Sequence, residues 1–373
     1  MGVGAKIWER HGHIALCVQY TDDHREDCYN YGVASFEHPL SMAAGFFRGT
    51  HSFWVAEMSP EELLWVYKNA DRTIWIQPLS NLTDEQAWKV VDKLKSDIKE
   101  ENKFYAYDHF EDNCTTRVRN ILDDVTHGEL SSMTEPTDGK TFRDLAREGF
   151  YGMRVPLLIT DVAMGRSTDR VPTYYERMFL PQYLREAVTK KWHIQPRAFY
   201  TRRECVNSTE SGCVERGLPW TPENSGRVIF ALFALLITAP VVLSRRYRRF
   251  QRTALAVAVI PYALLGSILL FLAVISPLPY VHINESILLF FPFDFLLLAL
   301  PAEKRRLYAR GRVAMLVLQA LLMLIGVFKQ PLMAELLWPL IPALVVGFWP
   351  AQTVTAATKS KKSGAKKPAA AKA

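Results

Sequence analysis

The chain has 373 residues, of which 49% are hydrophobic, and its formal net charge is +7. The length leaves room for two domains. The charge is unevenly distributed, because residues 1–227 contain 28 Lys and Arg against 34 Asp and Glu, so the positive excess comes entirely from the remainder. The basic charge therefore gives no indication of nucleic-acid binding, and we expect no nucleic-acid partner.

Residues 13–36 predict a β-hairpin. HIALCVQY and CYNYGVASF alternate in polarity, are rich in β-forming residues and flank a polar turn cluster. If Cys17 faces Cys28 across the hairpin, as in a disulfide, Asn30 lies on the same sheet face as His13, diagonally across from it.

Further elements follow from local patterns. FWVAEM and RTIWIQPL are typical of strands, SPEELLWVYKNA begins with a Ser-Pro-Glu helix start, and a longer amphipathic pattern is capped by Thr83. The predicted strands cover residues 53–58 and 72–79, and the predicted helices cover 59–70 and 83–102. Residues 131–227 predict loops and short helices.

The stretch YDHFEDNCTTRVRNIL predicts a helix that begins within about one residue of Cys114. Asp112 and Asn113 are good N-cap residues, and apolar residues follow at helical spacing. A helix N-terminus stabilises a thiolate, so we expect a lowered thiol pKa, with added positive potential from Arg117 and Arg119. The alternative is a buried structural cysteine.

The cysteine count supports a reactive role. Cys205 and Cys213 flank a short loop and form a second plausible disulfide, which leaves Cys114 as the unpaired member of five. An unpaired thiol in an oxidising compartment is a candidate nucleophile. If all five cysteines were reduced, the domain would instead face the cytoplasm.

A cysteine nucleophile needs a base, and the base needs an orienting group. We select His13 as the base because a strand next to the thiol-bearing helix would hold it rigidly, and Asn30 as the group that orients its ring. The segment His11-Gly-His13 raises zinc as an alternative, with Cys114 as a third ligand, but no paired ligand motif supports it. We expect no metal and no cofactor.

Five apolar stretches after residue 227 predict membrane-spanning helices. They cover residues 228–243, 253–275, 287–301, 313–328 and 332–349. The third is the least regular, because Asp294 and two flanking prolines interrupt it. Asn284, Glu285 and Asp294 are polar residues in or beside it that could line a headgroup site or an acyl entrance, unless the first two simply cap the span.

Three basic segments set the expected orientation. Residues 244–252 carry five arginines, residues 302–312 carry five basic residues, and the C-terminal tail carries six lysines. Five spans would keep all three in the cytoplasm and the N-terminal domain outside. No apolar leader follows Met1, so we expect the natural start to lie upstream with a signal peptide.

The combination GHIALCV, CYNYGVASF, GFFRGTHSFWV and YAYDHFEDNCTTRVRNIL resembles the Lnb N-terminal periplasmic domain family of bacterial membrane proteins. The likeness covers residues 1 to about 200 and extends to NESILLFFPFDFLLLALP in the membrane part. It is more distantly similar to permuted papain-like enzymes such as lecithin:retinol acyltransferases, in which the histidine precedes the cysteine. The family resemblance implies a lipoprotein N-acyltransferase, with Cys114 as acyl acceptor and His13 as its base.

The sequence thus predicts an α+β, permuted papain-like domain followed by an α-helical transmembrane bundle of about five spans. The expected divisions are a periplasmic catalytic domain (1–200), a linker (201–227), a transmembrane domain (228–350) and a disordered basic cytoplasmic tail (351–373). The protein would be multi-pass in the bacterial inner membrane.

The expected reaction is acyl-thioester formation at Cys114 followed by transfer to an amine of a lipoprotein. The acyl donor would be a phospholipid or lipoprotein, and the bilayer itself is an expected partner. Catalytic roles fall to Cys114, His13 and Asn30, while Asn113, Arg117 and Tyr107 would bind substrate or tune local charge. Alternatives are a thiol peptidase or amidase acting on cell-envelope peptide, and a non-catalytic membrane anchor or assembly protein.

Overall fold

The computed structural model describes residues 1–34, 52–150, 153–203, 222–247 and 249–349, together with residues 45, 48, 208, 209, 212 and 213. Within them, a mixed α+β N-terminal domain precedes a helical part with the membrane segments, as predicted. Cys205 and the basic tail, on which two predictions depend, lie outside the described residues.

The N-terminal domain contains a four-stranded antiparallel sheet with the spatial order β1-β2-β3-β5. Its strands are β1 (Leu16–Gln19), β2 (Glu26–Val33), β3 (Ser52–Met58) and β5 (Phe104–Ala106). Cys17 pairs with Cys28 in the β1–β2 register and the two form a disulfide, which confirms the predicted hairpin and its register. The predicted strand over residues 72–79 shortens to β4 (Ile74–Ile76), which pairs in a separate sheet with β6 (Arg197–Tyr200).

The described N-terminal part contains seven α-helices, the last four of which are the short helices expected after residue 131. They are α1 (Pro60–Asn69), α2 (Asp84–Asp97), α3 (Cys114–Val125), α4 (Phe142–Gly149), α5 (Arg154–Ala163), α6 (Tyr174–Arg177) and α7 (Pro181–Trp192). Helix α2 begins at the predicted Thr83 cap, whose hydroxyl accepts from the Gln86 N–H. It ends before residue 102, because residues 99–102 have no apolar side chain to pack on the core.

Helix α3 packs its apolar stripe against the sheet. Val118, Ile121, Leu122 and Val125 are all buried in the same core as residues of β2 and β3. Each such side chain stabilises the fold by about 1.5–3 kcal/mol when removed from water. The core therefore fixes the position of the first turn of α3, which carries Cys114.

Four segments of the described chain are long and apolar enough to cross a membrane, and a fifth apolar helix is shorter. The four are Gly226–Tyr247, Gln251–Ile275, Pro279–Ala299 and Ala302–Leu324, and the shorter one is Leu337–Phe348. We label the continuous helices α8 (Pro222–Tyr247), α9 (Gln251–Ile275), α12 (Ala302–Leu324) and α13 (Leu337–Phe348). The prediction of five spans is therefore confirmed for four segments.

The third segment is interrupted, as its prolines predicted. It consists of short turns at Pro279–Val281 and Pro292–Phe295 and of the short helices α10 (Ser286–Leu289) and α11 (Leu296–Ala299). Gly266 of α9 lets this irregular backbone approach closely, because a Cβ there would lie 1.3 Å from the Phe290 carbonyl oxygen. Only glycine fits such a contact.

Residues 302–312, the basic segment between the predicted third and fourth spans, form the first turns of α12. Arg312 of this helix donates to both carboxylate oxygens of Asp294 at 2.9 Å, and Tyr308 also donates to Asp294. Asp294 is therefore enclosed in protein, and the prediction that it lines an entrance is not supported. A buried charge of this kind requires a partner.

The N-terminal domain lies at one end of the helical bundle. Asn284 donates to the Val162 and Ala163 carbonyls, and the backbone N–H of Gly165 donates to the Tyr280 carbonyl. Helix α8 begins beside the domain, where Arg227 lies 3.8 Å from Asp161, and it ends at Arg245 and Arg246. Helix α12 runs in the opposite direction, from its own arginines toward Gln330, which donates to the Asp161 carbonyl. The arginine clusters of α8 and α12 and the N-terminal domain thus lie at opposite ends of the helical bundle.

Candidate functional site

Asn113 positions Cys114 by capping α3. The Asn113 Oδ1 accepts hydrogen bonds from the Thr115 and Thr116 N–H groups at 2.7 and 3.0 Å. Its Nδ2 donates to the carbonyls of His109 and Phe179. Every polar atom of this side chain is used inside the protein, so Asn113 supports a positioning role and not the predicted substrate contact.

Cys114 is a free thiol and is buried, with 7% of its surface exposed. Its Sγ lies 3.8 Å from Thr115 Oγ1 and also receives the backbone N–H of Ile14. Burial raises the pKa of the Cys114 thiol despite these contacts. The predicted lowering of this pKa is therefore wrong: the helix N-terminus is present, but removal from water outweighs it.

His13 bonds to the residue expected to orient it. The His13 Nε2 lies 2.5 Å from Asn30 Oδ1. Because Oδ1 can only accept, Nε2 carries the hydrogen and Nδ1 keeps a lone pair. Burial, followed by the Arg72 charge, lowers the pKa of His13 to about 3, so the ring is neutral.

The prediction that His13 lies on a strand is wrong, because β1 begins three residues later at Leu16. Its ring is instead held by stacking on Tyr67 of α1, with ring centroids 5.4 Å apart. No hydrogen bond joins His13 to Cys114, both of which are described. The N–H of the adjacent Ile14 nevertheless faces the sulfur, so the two residues occupy the same part of the domain.

Arg72 and Tyr67 belong to this site and were missed by sequence reasoning. Arg72 is buried, and its guanidinium lies 4.8 Å from the centre of the Tyr67 ring, the same ring that stacks on His13. Its charge lowers the pKa of both Cys114 and His13. In the sequence, Tyr67 shows only the helical spacing of a buried residue. That spacing is the same for a core residue and for a site residue.

Arg117 lies in the first turn of α3, and Tyr107 lies in the chain that leads to that helix. Arg117 forms a bidentate pair with Asp112, at 2.6 and 2.7 Å, and lies over the Tyr105 ring. Its charge is therefore balanced locally. Tyr107 is half-buried and packs on Phe53 with ring centroids 4.4 Å apart.

The structure separates the two histidines of the zinc alternative. Gly12, with φ of +78°, turns the chain between them. The His11 Nε2 bonds to the Ala146 carbonyl at 2.9 Å and its ring contacts His109, away from Asn30. Among the described residues, no group of three or more His, Cys, Asp or Glu could hold a metal ion.

Two family models match the chain. The Lnb N-terminal periplasmic domain matches residues 1–148, and the Lnb transmembrane domain matches residues 217–354. This chain belongs to the Lnb family. Comparison with curated proteins and with solved structures finds no match.

In this Lnb-family chain the candidate site lies wholly within the periplasmic-domain match. The turn before Cys114 packs directly on the membrane part, because Phe110 contacts Tyr280 with ring centroids 5.2 Å apart. Phe179, whose carbonyl binds Asn113, belongs to the same cluster. The turn that leads to Cys114 is therefore packed against the end of the bundle that faces the domain.

A cavity of about 130 Å³ adjoins His13 in this Lnb-family chain. Its apolar lining includes Leu16 of β1, Val118 and Leu122 of α3, and Leu184 of α7. Apolar walls with a few polar groups are typical of ligand pockets.

Proposed function

We propose that the protein is a membrane-bound cysteine acyltransferase that forms an acyl-thioester at Cys114 and passes the acyl chain to an amine, the N-terminus of a lipoprotein. The observation that carries the proposal is the hydrogen bond from His13 Nε2 to Asn30 Oδ1 beside a capped, unpaired Cys114. It leaves Nδ1 as an unprotonated base. Membership of the Lnb family supports an enzymatic role.

The reaction would proceed in two steps. In the first, His13 Nδ1 takes the Cys114 proton, Sγ attacks the acyl carbon of a phospholipid or lipoprotein ester, and the departing alcohol oxygen takes that proton back. In the second, the acceptor amine attacks the thioester, the C–S bond breaks, and an amide forms while one amine proton returns to sulfur through His13. No cofactor is required, since both steps conserve oxidation state.

The neutral resting state agrees with this sequence of steps. A raised thiol pKa and a lowered imidazole pKa mean that the thiol and ring are both uncharged before substrate binds. A dry environment also protects a thioester from hydrolysis. Leu16, Val118 and Leu122 in the lining of the cavity beside His13 offer an apolar wall for part of an acyl chain.

The contact between Phe110 and Tyr280 supports a site held at the bilayer surface, where an acyl chain can transfer without crossing water. We further propose that the protein is multi-pass in the bacterial inner membrane, with its N-terminal domain in the periplasm and its tail in the cytoplasm. The separation of the domain from the arginine clusters supports this orientation.

The test is covalent trapping in proteoliposomes that contain an alkyne-tagged acyl phospholipid. We expect a hydroxylamine-sensitive adduct on Cys114 that His13→Ala abolishes without loss of the folded state, because the variant removes the base. His24→Asn, at an exposed turn, is the control and should label normally.

Addition of a lipidated peptide with a free N-terminus should then discharge the adduct as an amide. Discharge to water only, with cleavage of envelope peptides, would favour the thiol peptidase or amidase. If Cys114→Ala cells keep normal lipoprotein N-termini by mass spectrometry, the non-catalytic alternative holds.

A further inference from the structure

Helix α5 presents an apolar face that no described residue covers. Val155 and Ile159 are one turn apart on the same face and are 66% and 52% exposed. The opposite face is buried, with Leu157 and Thr160 directed into the protein. The helix therefore carries apolar side chains on its exposed side as well as on its buried side.

The contacts of α5 define its level relative to the bilayer. Asp161 lies 3.8 Å from Arg227, which stands at the beginning of the first membrane segment. Val162 belongs to the same core cluster as Ala234 of α8, and Phe230 packs against that cluster. The C-terminal end of α5 therefore lies at the depth of the first turns of that segment.

Helix α8, which shares a core cluster with the end of α5, has an exposed apolar surface of its own. Along α8, Ile229, Leu232 and Leu236 are exposed and apolar, as expected for side chains in contact with lipid. Arg154 begins α5, and Arg166, which is 44% exposed and lies 3.8 Å from Glu285, follows it.

We propose that α5 is an interfacial helix whose Val155–Ile159 face inserts into the leaflet on the side of the N-terminal domain, in contact with phospholipid. A helix of this kind lies in the membrane plane with its apolar face about 5–10 Å into the boundary between headgroups and acyl chains. Buried Arg143 of α4 donates to the Thr160 and Met164 carbonyls, so the inserted helix is fixed to the domain. Lipid contact would thus set the height of the domain over the bilayer.

The test replaces single residues of the full chain with a photoreactive benzophenone amino acid in liposomes of phosphatidylethanolamine and phosphatidylglycerol. Lipid adducts are expected at Val155 and Ile159, as at Leu236 in the middle of the first segment. Val66, exposed on α1 in a part of the domain that shares no core with the membrane segments, is the matched control and should yield none.

The proposal is overturned if Val155 and Ile159 label like Val66, or if they crosslink to protein and not to lipid. Two positions are used so that poor folding of one variant still leaves a readout. The measurement involves no acyl transfer, so its result is independent of whether the proposed reaction at Cys114 is correct.

Discussion

The pKa of the Cys114 thiol is set by opposing effects of its surroundings. Burial raises the pKa of its thiol, while Thr115, the Ile14 N–H and Arg72 lower it. The balance favours the neutral thiol, so in the proposed mechanism deprotonation falls to His13 and not to the helix dipole. This is the order of events expected for an enzyme whose nucleophile is activated by a base.

Arg72→Gln should make Cys114 less reactive at a given pH. Removal of the guanidinium eliminates a charge that lowers the thiol pKa, so the pH profile of alkylation by iodoacetamide should move to higher pH. Arg25→Gln, at an exposed arginine of the hairpin turn, is the control. An unchanged pH profile in Arg72→Gln would show that the charge of Arg72 does not affect the pKa of the Cys114 thiol.

His11 predicts a pH dependence of stability. Burial lowers the pKa of His11 to about 4, from an ordinary value of 6.5. Between these values the unfolded chain binds a proton that the folded chain does not, so stability falls as the pH decreases from about 6.5 to 4, by on the order of 3 kcal/mol for this group.

His11→Gln, which keeps a donor for the Ala146 carbonyl, should flatten this part of the curve. The measurement is the apparent Tm in detergent between pH 4 and 7.5, with His24→Asn as the exposed control. Equal slopes in His11→Gln and the unsubstituted protein would mean that other groups account for the acid sensitivity.

At the scale of elements, Gly32 allows β2 to pass beside the thiol helix. Its φ is +83°, and the β2–β3 register shifts between Tyr31 and Val33 at the same place. A Cβ at Gly32 would lie 3.5 Å from the Cys114 Cβ and 3.6 Å from Tyr105 Oη. The bulge thus brings the strand that carries Asn30 against the first turn of α3.

Gly32→Val should abolish acyl trapping at Cys114, because its methyl groups need space that the cysteine and Tyr105 occupy. Gly139→Val is the matched control: its φ is +76°, but nothing lies within 4 Å of its Cβ position. Both variants should lose about 1–2 kcal/mol from backbone strain, so a difference in trapping isolates the contact. Similar trapping in both would remove Gly32 from the site.

At the scale of the whole molecule, Gln330 joins the two parts of the chain. Its Nε2 donates to the carbonyls of Asp161 and Met164 in the N-terminal domain, and its Oε1 accepts from the Glu285 N–H. The Glu285 carboxylate in turn accepts from the Lys329 and Gln330 N–H groups. The buried polar residues beside the third segment therefore hold the domain on the bundle.

Gln330→Ala should loosen this junction. Leaving buried carbonyl and N–H groups unpaired costs about 1–3 kcal/mol. We expect a lower Tm and faster hydrogen exchange over residues 160–166. Gln251→Ala, at the opposite end of the bundle, should leave that exchange unchanged. Unaltered exchange in Gln330→Ala would mean that other contacts maintain the junction.

The Cys17–Cys28 hairpin, the Asn113 cap of α3 and the long apolar segments could be predicted, because alternation, side-chain capping and hydropathy are local properties. The burial of Cys114, the stacking of His13, Tyr67 and Arg72, and the pairing of Asp294 with Arg312 could not be predicted. Burial and such contacts arise from segments far apart in the chain, whose approach no local pattern encodes.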